Sequence, residues 1–449
     1  MNLFALVKLI FGIMIPFLLG FTAVCCIKRD NLLENIGLSY PLGIGILGLL
    51  MLLLMPFYKL SLISILLLTL PVYILFIILN IFPKRNASFK LSPSNKINKF
   101  SILLLIYLFI KVGWVFTSAL IKPVLAWDAV ARYSRIVKGI FFKGTYFTPY
   151  LHVRIEDYPP LVMVNQAWML FCQGNWNDIA TKAIGPMLFI SLLIIVYVNL
   201  RKNLSVNISL LGASLLASIP FMDFHATTAY LDFAMMAFYS IGAIYLLRYF
   251  RDHRRNDLFV SFAFLGIGIW AKRAGLYLAG ISLILLIIFL AIHKRNEIKK
   301  YWIIFLALLL LSIPWIIFNQ LTSERHYYSL SAMLSSASLS ALAERSATFF
   351  AVVSDKLFFS GNWHLLWAGL IIVCILFYKK LPRMHNLFGI GLILLSLLAI
   401  FYPLIFTGAF NFILDGTLLN RVILYLVPLV IFFSFNLYGD KAEESKKKQ

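Results

Sequence analysis

Charged residues are scarce in this sequence. They make up 13% of its 449 residues, and hydrophobic residues make up 61%. A typical soluble protein has about 25% charged and roughly 45–50% apolar residues, so this composition cannot give a folded domain a polar surface. The acidic residues are the scarcer ones, with 18 Asp+Glu against 40 Lys+Arg and a net charge of +22. The basic residues stand in clusters between apolar runs of about 17–23 residues, so the excess indicates orientation in a membrane and no nucleic-acid partner.

Cysteine is also rare, and its four positions show no CxxC or paired spacing. The sequence therefore predicts neither a disulfide framework nor a cysteine zinc site. The first apolar run has no A-x-A cleavage site and is followed by Lys28 and Arg29, whereas a signal peptide carries its positive charge before the apolar stretch. We expect this run to be retained as a helix with its amino end outside.

Long apolar runs predict an all-α polytopic membrane protein of about 13 transmembrane helices. The predicted helices lie near residues 3–26, 40–57, 60–82, 100–121, 179–200, 204–220, 229–250, 257–271, 274–292, 301–320, 363–378, 386–407 and 420–438. The run 160–172 is ambiguous, because about 13 residues span only about 20 Å as a helix. We expect it to be re-entrant or interfacial.

The basic clusters orient these helices. With thirteen spans they all fall on one side, which the positive-inside rule makes the cytoplasm. The chain then divides into N-terminal transmembrane helices that precede the main region (1–82), a polar cytoplasmic linker (83–99), the main transmembrane region (100–438) and a basic cytoplasmic tail (439–449). Four segments lie outside: 122–160, 221–230, 321–362 and 408–420.

The outer segment 122–160 is the richest in candidate residues. A loop of this length between two membrane helices is more often functional than a simple connector. Asp128 follows Trp127 where the helix leaves the membrane, which puts a carboxylate at the depth of lipid head groups. The alternative is that Asp128 caps a helix beginning at Ala129 or is simply a surface charge. Asp157 precedes Pro159-Pro160 and could equally cap the helix that follows.

Further ionisable residues stand at the same predicted face. Asp232 lies about one turn inside its helix, where an ionisable group is costly and suggests function. A structural partner such as Lys272 would explain it as well. Lys272 and Arg273 occupy a hairpin tip on the face that should be poor in positive charge, and Arg421 opens the last helix. A transporter would place such groups near the midplane. Their clustering at one interface favours a transferase that acts on a lipid-linked substrate.

These positions belong to an ordered series of motifs that extends over about 310 residues. The series begins with Trp127-Asp128, Arg132-Tyr133, Asp157-Tyr158-Pro159-Pro160-Leu161 and Lys182, and continues with Ala229-Tyr230-Leu231-Asp232, Ala271 to Leu276 and Asn420-Arg421. It resembles the GT-C superfamily of polytopic glycosyltransferases that use polyprenyl-phosphate sugars, among them protein O-mannosyltransferases and the aminoarabinose transferases of lipid A. Residues 100–438 would then be a GT-C-like catalytic region whose outer loop carries short interfacial helices. Tyr158 and Arg273-Ala274 depart from the family pattern and leave the sugar and the acceptor open.

The resemblance implies a glycosyltransferase on the extracytoplasmic face that moves a sugar to an acceptor hydroxyl with inversion. It makes Asp128 the base. The residues expected to bind substrate are Arg132, Tyr133, Asp157, Tyr158, Asp232, Lys272, Arg273 and Arg421. The expected partners are the polyprenyl-phosphate sugar, a lipid-linked glycan, glycolipid or protein acceptor, and the bilayer of a bacterial inner membrane.

Two questions stay open at this point. No cofactor is certain, although Asp157 with His152, His225, His326 or His364 could bind a divalent metal. The alternative functions are an O-antigen ligase or polymerase and a lipid-linked-sugar flippase. A ligase should depend on Arg and His residues in a large outer loop, and segment 321–362 with the nearby His364 offers them.

Overall fold

Helices form the described part of the chain, which contains no strand. The structure is a computed structural model and describes residues 3–27, 31–81, 97–146, 158–294, 301–322 and 337–447. The helices are α1 Leu3–Ile27, α2 Leu32–Leu54, α3 Leu62–Ile81, α4 Lys99–Ile121, α5 Ser134–Lys143, α6 Leu161–Gln173, α7 Asp178–Thr181, α8 Ile184–Arg201, α9 Val206–Ser218, α10 Pro220–Thr227, α11 Leu231–Asp252, α12 Arg255–Ala271, α13 Ala274–His293, α14 Trp302–Thr322, α15 Ala337–Ser354, α16 Leu366–Leu376, α17 Met384–Phe406, α18 Asn411–Leu414, α19 Leu419–Ile423 and α20 Val427–Lys447.

Each of the thirteen predicted membrane helices has a counterpart here, and the prediction of an all-α polytopic membrane protein is confirmed. Within the described ranges, nine segments are long and apolar enough to cross a bilayer. A tenth would be the pair α9 and α10, which bend by 65° at Ile219. Pro220 explains this break, because it occupies the first position of α10 and has no N–H to continue the ladder of α9.

Burial separates the inner helices of the bundle from the lipid-facing ones. The central helix α11 is buried along its whole apolar window, whereas only 11% of the corresponding windows of α3 and α4 is buried. In a membrane an exposed apolar helix faces lipid, so α3 and α4 form the periphery. Polar contacts connect α4 to the inner helices: Lys111 pairs with Asp223 on α10, and Ser101 bonds with Asn207 on α9.

The helix α6 has 13 residues, about 20 Å, and is too short to cross the hydrocarbon core by itself. Almost all of it is buried, against α1, α2 and α5. Asn165 in its second turn bonds to Ile44 in the middle of α2, and its last residue Gln173 bonds to Lys8 and Ala5 at the start of α1. The helix is therefore buried within the bundle, and its re-entrant or interfacial position stays a prediction.

Candidate active site

Four separate chain segments meet at one end of the helix bundle, and each contributes a charged side chain. Asp128 follows α4, Asp232 is the second residue of α11, Lys272 lies in the turn between α12 and α13, and Arg421 lies in α19. We call these four residues the charge cluster. The sequence places them up to 293 positions apart, and only the packing of the helices brings them into contact.

Asp232 is the buried centre of the charge cluster, with no exposed surface. Arg421 donates to its Oδ2 from Nε at 3.1 Å and from Nη2 at 2.8 Å. Its Oδ1 accepts from Lys272 Nζ at 2.5 Å and from the Tyr425 hydroxyl at 2.7 Å. A carboxylate can stay ionised away from water only with such partners. In this structure Lys272 is therefore the partner of Asp232, as one reading of the sequence allowed.

Arg421 connects the two carboxylates of the charge cluster. Its Nη1 donates to Asp128 Oδ2 at 2.5 Å, while its other nitrogens bond to Asp232. Its Nη2 also lies 3.3 Å from the Tyr133 hydroxyl, and its guanidinium centre stacks 4.7 Å from the centroid of the Tyr230 ring. The planar fork of an arginine allows this bridging, which a lysine ammonium cannot reproduce in the same geometry.

Asp128 uses its carboxylate for ion pairing and not for helix capping. It precedes the π-helical turn Ala129–Tyr133, but its side chain makes no capping hydrogen bond there. The capping alternative is therefore wrong. Apart from Arg421, its nearest cation is Arg132, whose Nε lies 3.8 Å from Oδ1. Its side chain keeps 15% of its surface exposed, whereas that of Asp232 keeps none.

Two tyrosines and one arginine lie beside Asp128. Arg132 donates to the Tyr158 hydroxyl at 3.0 Å and keeps about half of its side chain exposed. The rings of Tyr133 and Tyr158 meet edge to face at 5.3 Å. Burial raises the pKa of both tyrosine hydroxyls above the usual value, so both keep their protons. They can serve as neutral hydrogen-bond donors next to an anion.

Comparisons with known proteins show which sequences and structures this chain resembles. Residues 157–318 match the family model described as dolichyl-phosphate-mannose-protein mannosyltransferase. The structure is similar to that of ArnT from Cupriavidus metallidurans bound to undecaprenyl phosphate, with a TM-score of 0.53 and 14% sequence identity. The similarity covers 75% of this chain and 60% of that one, so the chain spans about three fifths of the ArnT length. The chain has a GT-C fold. No curated protein gives a significant match.

Two residues in the GT-C fold position the segment that carries Asp128. Lys182 donates to the carbonyl oxygens of Lys122 and Pro123, and Asp178 accepts from the Val124 amide at 2.9 Å. These carbonyls and this amide lie just beyond the end of α4, where backbone groups have no helical partner. Lys182 belongs to the motif series found in the sequence, and its observed role is to hold the chain that leads to Asp128.

The roles predicted for Arg273 and Asp157 stay predictions. Arg273 directly precedes α13 and is half-buried, and its role in phosphate binding stays a prediction. Asp157 lies outside the described residues, as do His152 and His326. Within the described ranges no group of three potential ligands could hold a metal ion. A metal site that includes Asp157 therefore stays a prediction.

Sequence reasoning missed Tyr425 and gave Tyr230 no role of its own. Tyr425 donates to Asp232, and Tyr230 covers the guanidinium of Arg421. A signal was present for Tyr425, because it follows Arg421 by four residues and side chains at that spacing share one helix face. For Tyr230 the sequence offered only its position next to Asp232, and its contact with Arg421 depends on how α11 and α19 pack.

Proposed function

We propose that this protein is a membrane glycosyltransferase that moves a sugar from a polyprenyl-phosphate donor to an acceptor hydroxyl. The proposal depends on one observation above all: a partly exposed carboxylate, Asp128, is paired with a cation, Arg421, at one end of a GT-C fold. The match to the mannosyltransferase family model supports it. By the positive-inside rule this end is extracytoplasmic, and we propose a bacterial inner membrane as its location.

The chemistry needs a proton acceptor and a stabiliser of the leaving phosphate. The acceptor oxygen attacks C1 of the sugar and its proton passes to Asp128, while the C1–O bond breaks and its electron pair stays on the polyprenyl phosphate. Arg421, Lys272 and Arg132 stabilise the negative charge that builds on that phosphate. A single displacement of this kind inverts the configuration at C1.

The charge cluster is balanced before the donor binds. Its two carboxylates face two cations. A bound phosphate therefore competes with one of the carboxylates for its cation. Asp128 is the carboxylate with fewer contacts. It contacts Arg421 and the more distant Arg132, whereas Asp232 accepts four hydrogen bonds. We propose that the donor phosphate replaces Asp128 on Arg421. Asp128 then faces the acceptor hydroxyl as an unpaired base only when a donor is bound.

The described outer segment gives less support to the ligase alternative. Arg345 donates to the carbonyl oxygens of Ile405 and Thr407 at the end of α17, and His364 bonds to the Ser218 carbonyl oxygen at the bend of α9. Both residues thus hold helix ends in place. Arg325 and His326 lie outside the described residues, so transfer assays must separate the remaining alternatives.

The decisive experiment is transfer in vitro by the purified protein. Polyprenyl-monophosphate sugars should serve as donors, with release of polyprenyl phosphate in equal amount. Diphosphate-linked glycans are the donors of ligases and polymerases and should not react. A flippase makes no bond, so movement of lipid-linked sugar across vesicles without any transfer would refute the proposal. An Asp415→Asn variant is a matched control, because Asp415 is an exposed carboxylate in the loop between α18 and α19.

A further inference from the structure

Helix α5 runs along the end of the bundle that carries the charge cluster. It follows the π-helical turn after Asp128, and its last turn is tied to the turn between α2 and α3, where the Leu60 amide donates to the Gly144 carbonyl oxygen at 2.6 Å. The helices α2, α3 and α4 that begin or end here are all long and apolar enough to cross a bilayer. Helix α5 therefore lies where these helices leave the hydrocarbon core, at the depth of the lipid head groups.

The two sides of α5 differ in burial and in charge. The buried side packs on α6, and its side chains are all aliphatic: Ile136, Val137 and Ile140. The other side is exposed and carries three cations and one phenylalanine: Arg135, Lys138, Phe142 and Lys143. These four residues stand at positions i, i+3, i+7 and i+8, which share one side of a helix. We call them the basic face of α5.

The cations of the basic face have no acidic partner among the described residues. Lys138 lies 4.9 Å from the centroid of the Trp176 ring, a contact that leaves its charge uncompensated. Lys59, in the α2–α3 turn next to Gly144, is a further exposed cation. Cations are uncommon at the end of a membrane protein that the positive-inside rule makes extracytoplasmic. An anionic partner accounts for their concentration here.

Exposed aromatic rings indicate what kind of anion this partner is. Phe142 is 64% exposed although it stands between the cations of the basic face. In the adjoining α2–α3 turn, Phe57 and Tyr58 are 87% and 64% exposed. Cations next to exposed rings suit a membrane interface, where the cations reach lipid phosphates and the rings reach the boundary of the acyl chains. A soluble anion would leave these rings in water.

We propose that the basic face of α5, together with Lys59, binds the phosphate groups of anionic phospholipids, such as phosphatidylglycerol, in the leaflet at the charge-cluster end. Phe142 reaches the apolar region beneath the head groups. The contact holds the segment that begins at Asp128 at the depth of a membrane-bound substrate. It lies outside the charge cluster and does not depend on the proposed glycosyltransferase function.

Fluorescence quenching at position 142 tests the proposal at this one site. In a full-length variant without the native cysteines, Phe142→Cys carries a bimane label, itself an apolar ring system. The protein is placed in vesicles with equal amounts of phosphatidylglycerol and phosphatidylcholine, one of which has brominated acyl chains that quench the label on contact. We expect the relative binding constant to favour phosphatidylglycerol at least about fivefold, the factor that one engaged cation supplies at a membrane surface. At 1 M salt, where the Debye length is about 3 Å, this preference should shrink.

Three sets of variants in the labelled protein assign the preference to the basic face. Arg135→Gln/Lys138→Gln/Lys143→Gln should bind both lipids equally, while the brominated chains still quench the label. Lys138→Arg/Lys143→Arg keeps the charges and should keep the preference. The matched control Arg254→Gln/Arg255→Gln/Lys379→Gln removes three exposed cations from the opposite end of the bundle and should keep it as well.

Four results would overturn the proposal. They are equal binding of both lipids in the labelled parent, a preference that survives the triple change on α5, a preference lost in the control, and quenching by aqueous iodide without quenching by either lipid. The last result would place position 142 in water and indicate a soluble partner. Thermal unfolding of every variant checks that the fold is intact.

Discussion

At the residue scale, the two carboxylates of the charge cluster have different environments. Asp232 is fully buried and accepts four hydrogen bonds, whereas Asp128 is partly exposed and has one short contact, with Arg421. A group that must exchange partners during a reaction has to be held weakly, and a group that must orient two cations has to be held firmly. This difference supports the proposal that Asp128 accepts the proton and that Asp232 positions the cations.

The first prediction concerns Asp128→Asn. Transfer should fall by about two to four powers of ten, because the amide cannot accept the proton. Binding of undecaprenyl phosphate should become tighter, because Arg421 loses a competing anion. Both quantities can be measured on the purified variant, with Asp415→Asn as the control. Unchanged turnover would remove Asp128 from the mechanism, and weaker binding of the lipid phosphate would refute the exchange of partners.

A second prediction separates the two roles of Lys272. Lys272→Met leaves the buried Asp232 with one cation fewer, and loss of one partner of a buried pair costs up to about 3–5 kcal/mol. Thermal stability should therefore fall. The double variant Lys272→Met/Asp232→Asn removes both charges and should recover much of that stability. Affinity for undecaprenyl phosphate should stay at least tenfold lower in both. Recovery of affinity together with stability would show that Lys272 serves the fold alone.

At the element scale, the hairpin between α12 and α13 places Lys272. The Gly275 amide donates to the Lys272 carbonyl oxygen at 2.8 Å, and the Lys272 amide donates to that of Gly268 at 3.4 Å. A Cβ atom on Gly275 would overlap the Gly268 carbonyl oxygen, whereas nothing lies within 4 Å of a Cβ on Gly280. The absence of a side chain at Gly275 therefore allows the two helices to approach closely enough to bring Lys272 to Asp232.

The third prediction follows from this matched pair of glycines on α13. Gly275→Ala should lower the thermal midpoint and the affinity for undecaprenyl phosphate, because the hairpin must open to relieve the overlap. Gly280→Ala should leave both unchanged or raise stability slightly, since alanine favours a helix by about 1 kcal/mol over glycine. Thermal scans and lipid binding of the two variants test this. Equal behaviour of the two would show that the hairpin is not tightly packed at Gly275.

At the scale of the whole molecule, the two ends of α11 carry two separate groups of charges. The charge cluster surrounds Asp232 at one end, and Arg248 with its carboxylates lies near the other. The apolar middle of this helix is buried throughout. A membrane protein can keep ionised groups in this way because both ends reach the depth of the polar head groups.

The fourth prediction concerns topology. In a variant without the native cysteines, single cysteines at Arg135 and Thr417 should react with an impermeant maleimide in intact cells. One at Lys379 should react only after the membrane is opened, because the basic segment around it is predicted to be cytoplasmic. All three positions are exposed. Labelling at Lys379 alone in intact cells would invert the orientation and place the charge cluster in the cytoplasm.

The helices themselves could be predicted from the sequence. Apolar runs of sufficient length have few alternatives in a bilayer, because every backbone polar group must be bonded within the segment. The bend at Ile219 and the burial of α6 were harder to predict: the first depends on how α10 packs beyond Pro220, and the second on contacts with α1 and α2.

The sequence by itself determined that this chain lies in a membrane, where its helices run, and which charged residues stand near their ends, because the cost of placing polar groups in lipid acts on each segment separately. Only the tertiary structure decided which of these charges meet. Asp128 and Arg421 are 293 positions apart. No local pattern predicts that one arginine bridges two carboxylates or that Tyr425 donates the fourth hydrogen bond to Asp232. Such contacts depend on the packing of whole helices against one another, and local sequence does not specify that packing.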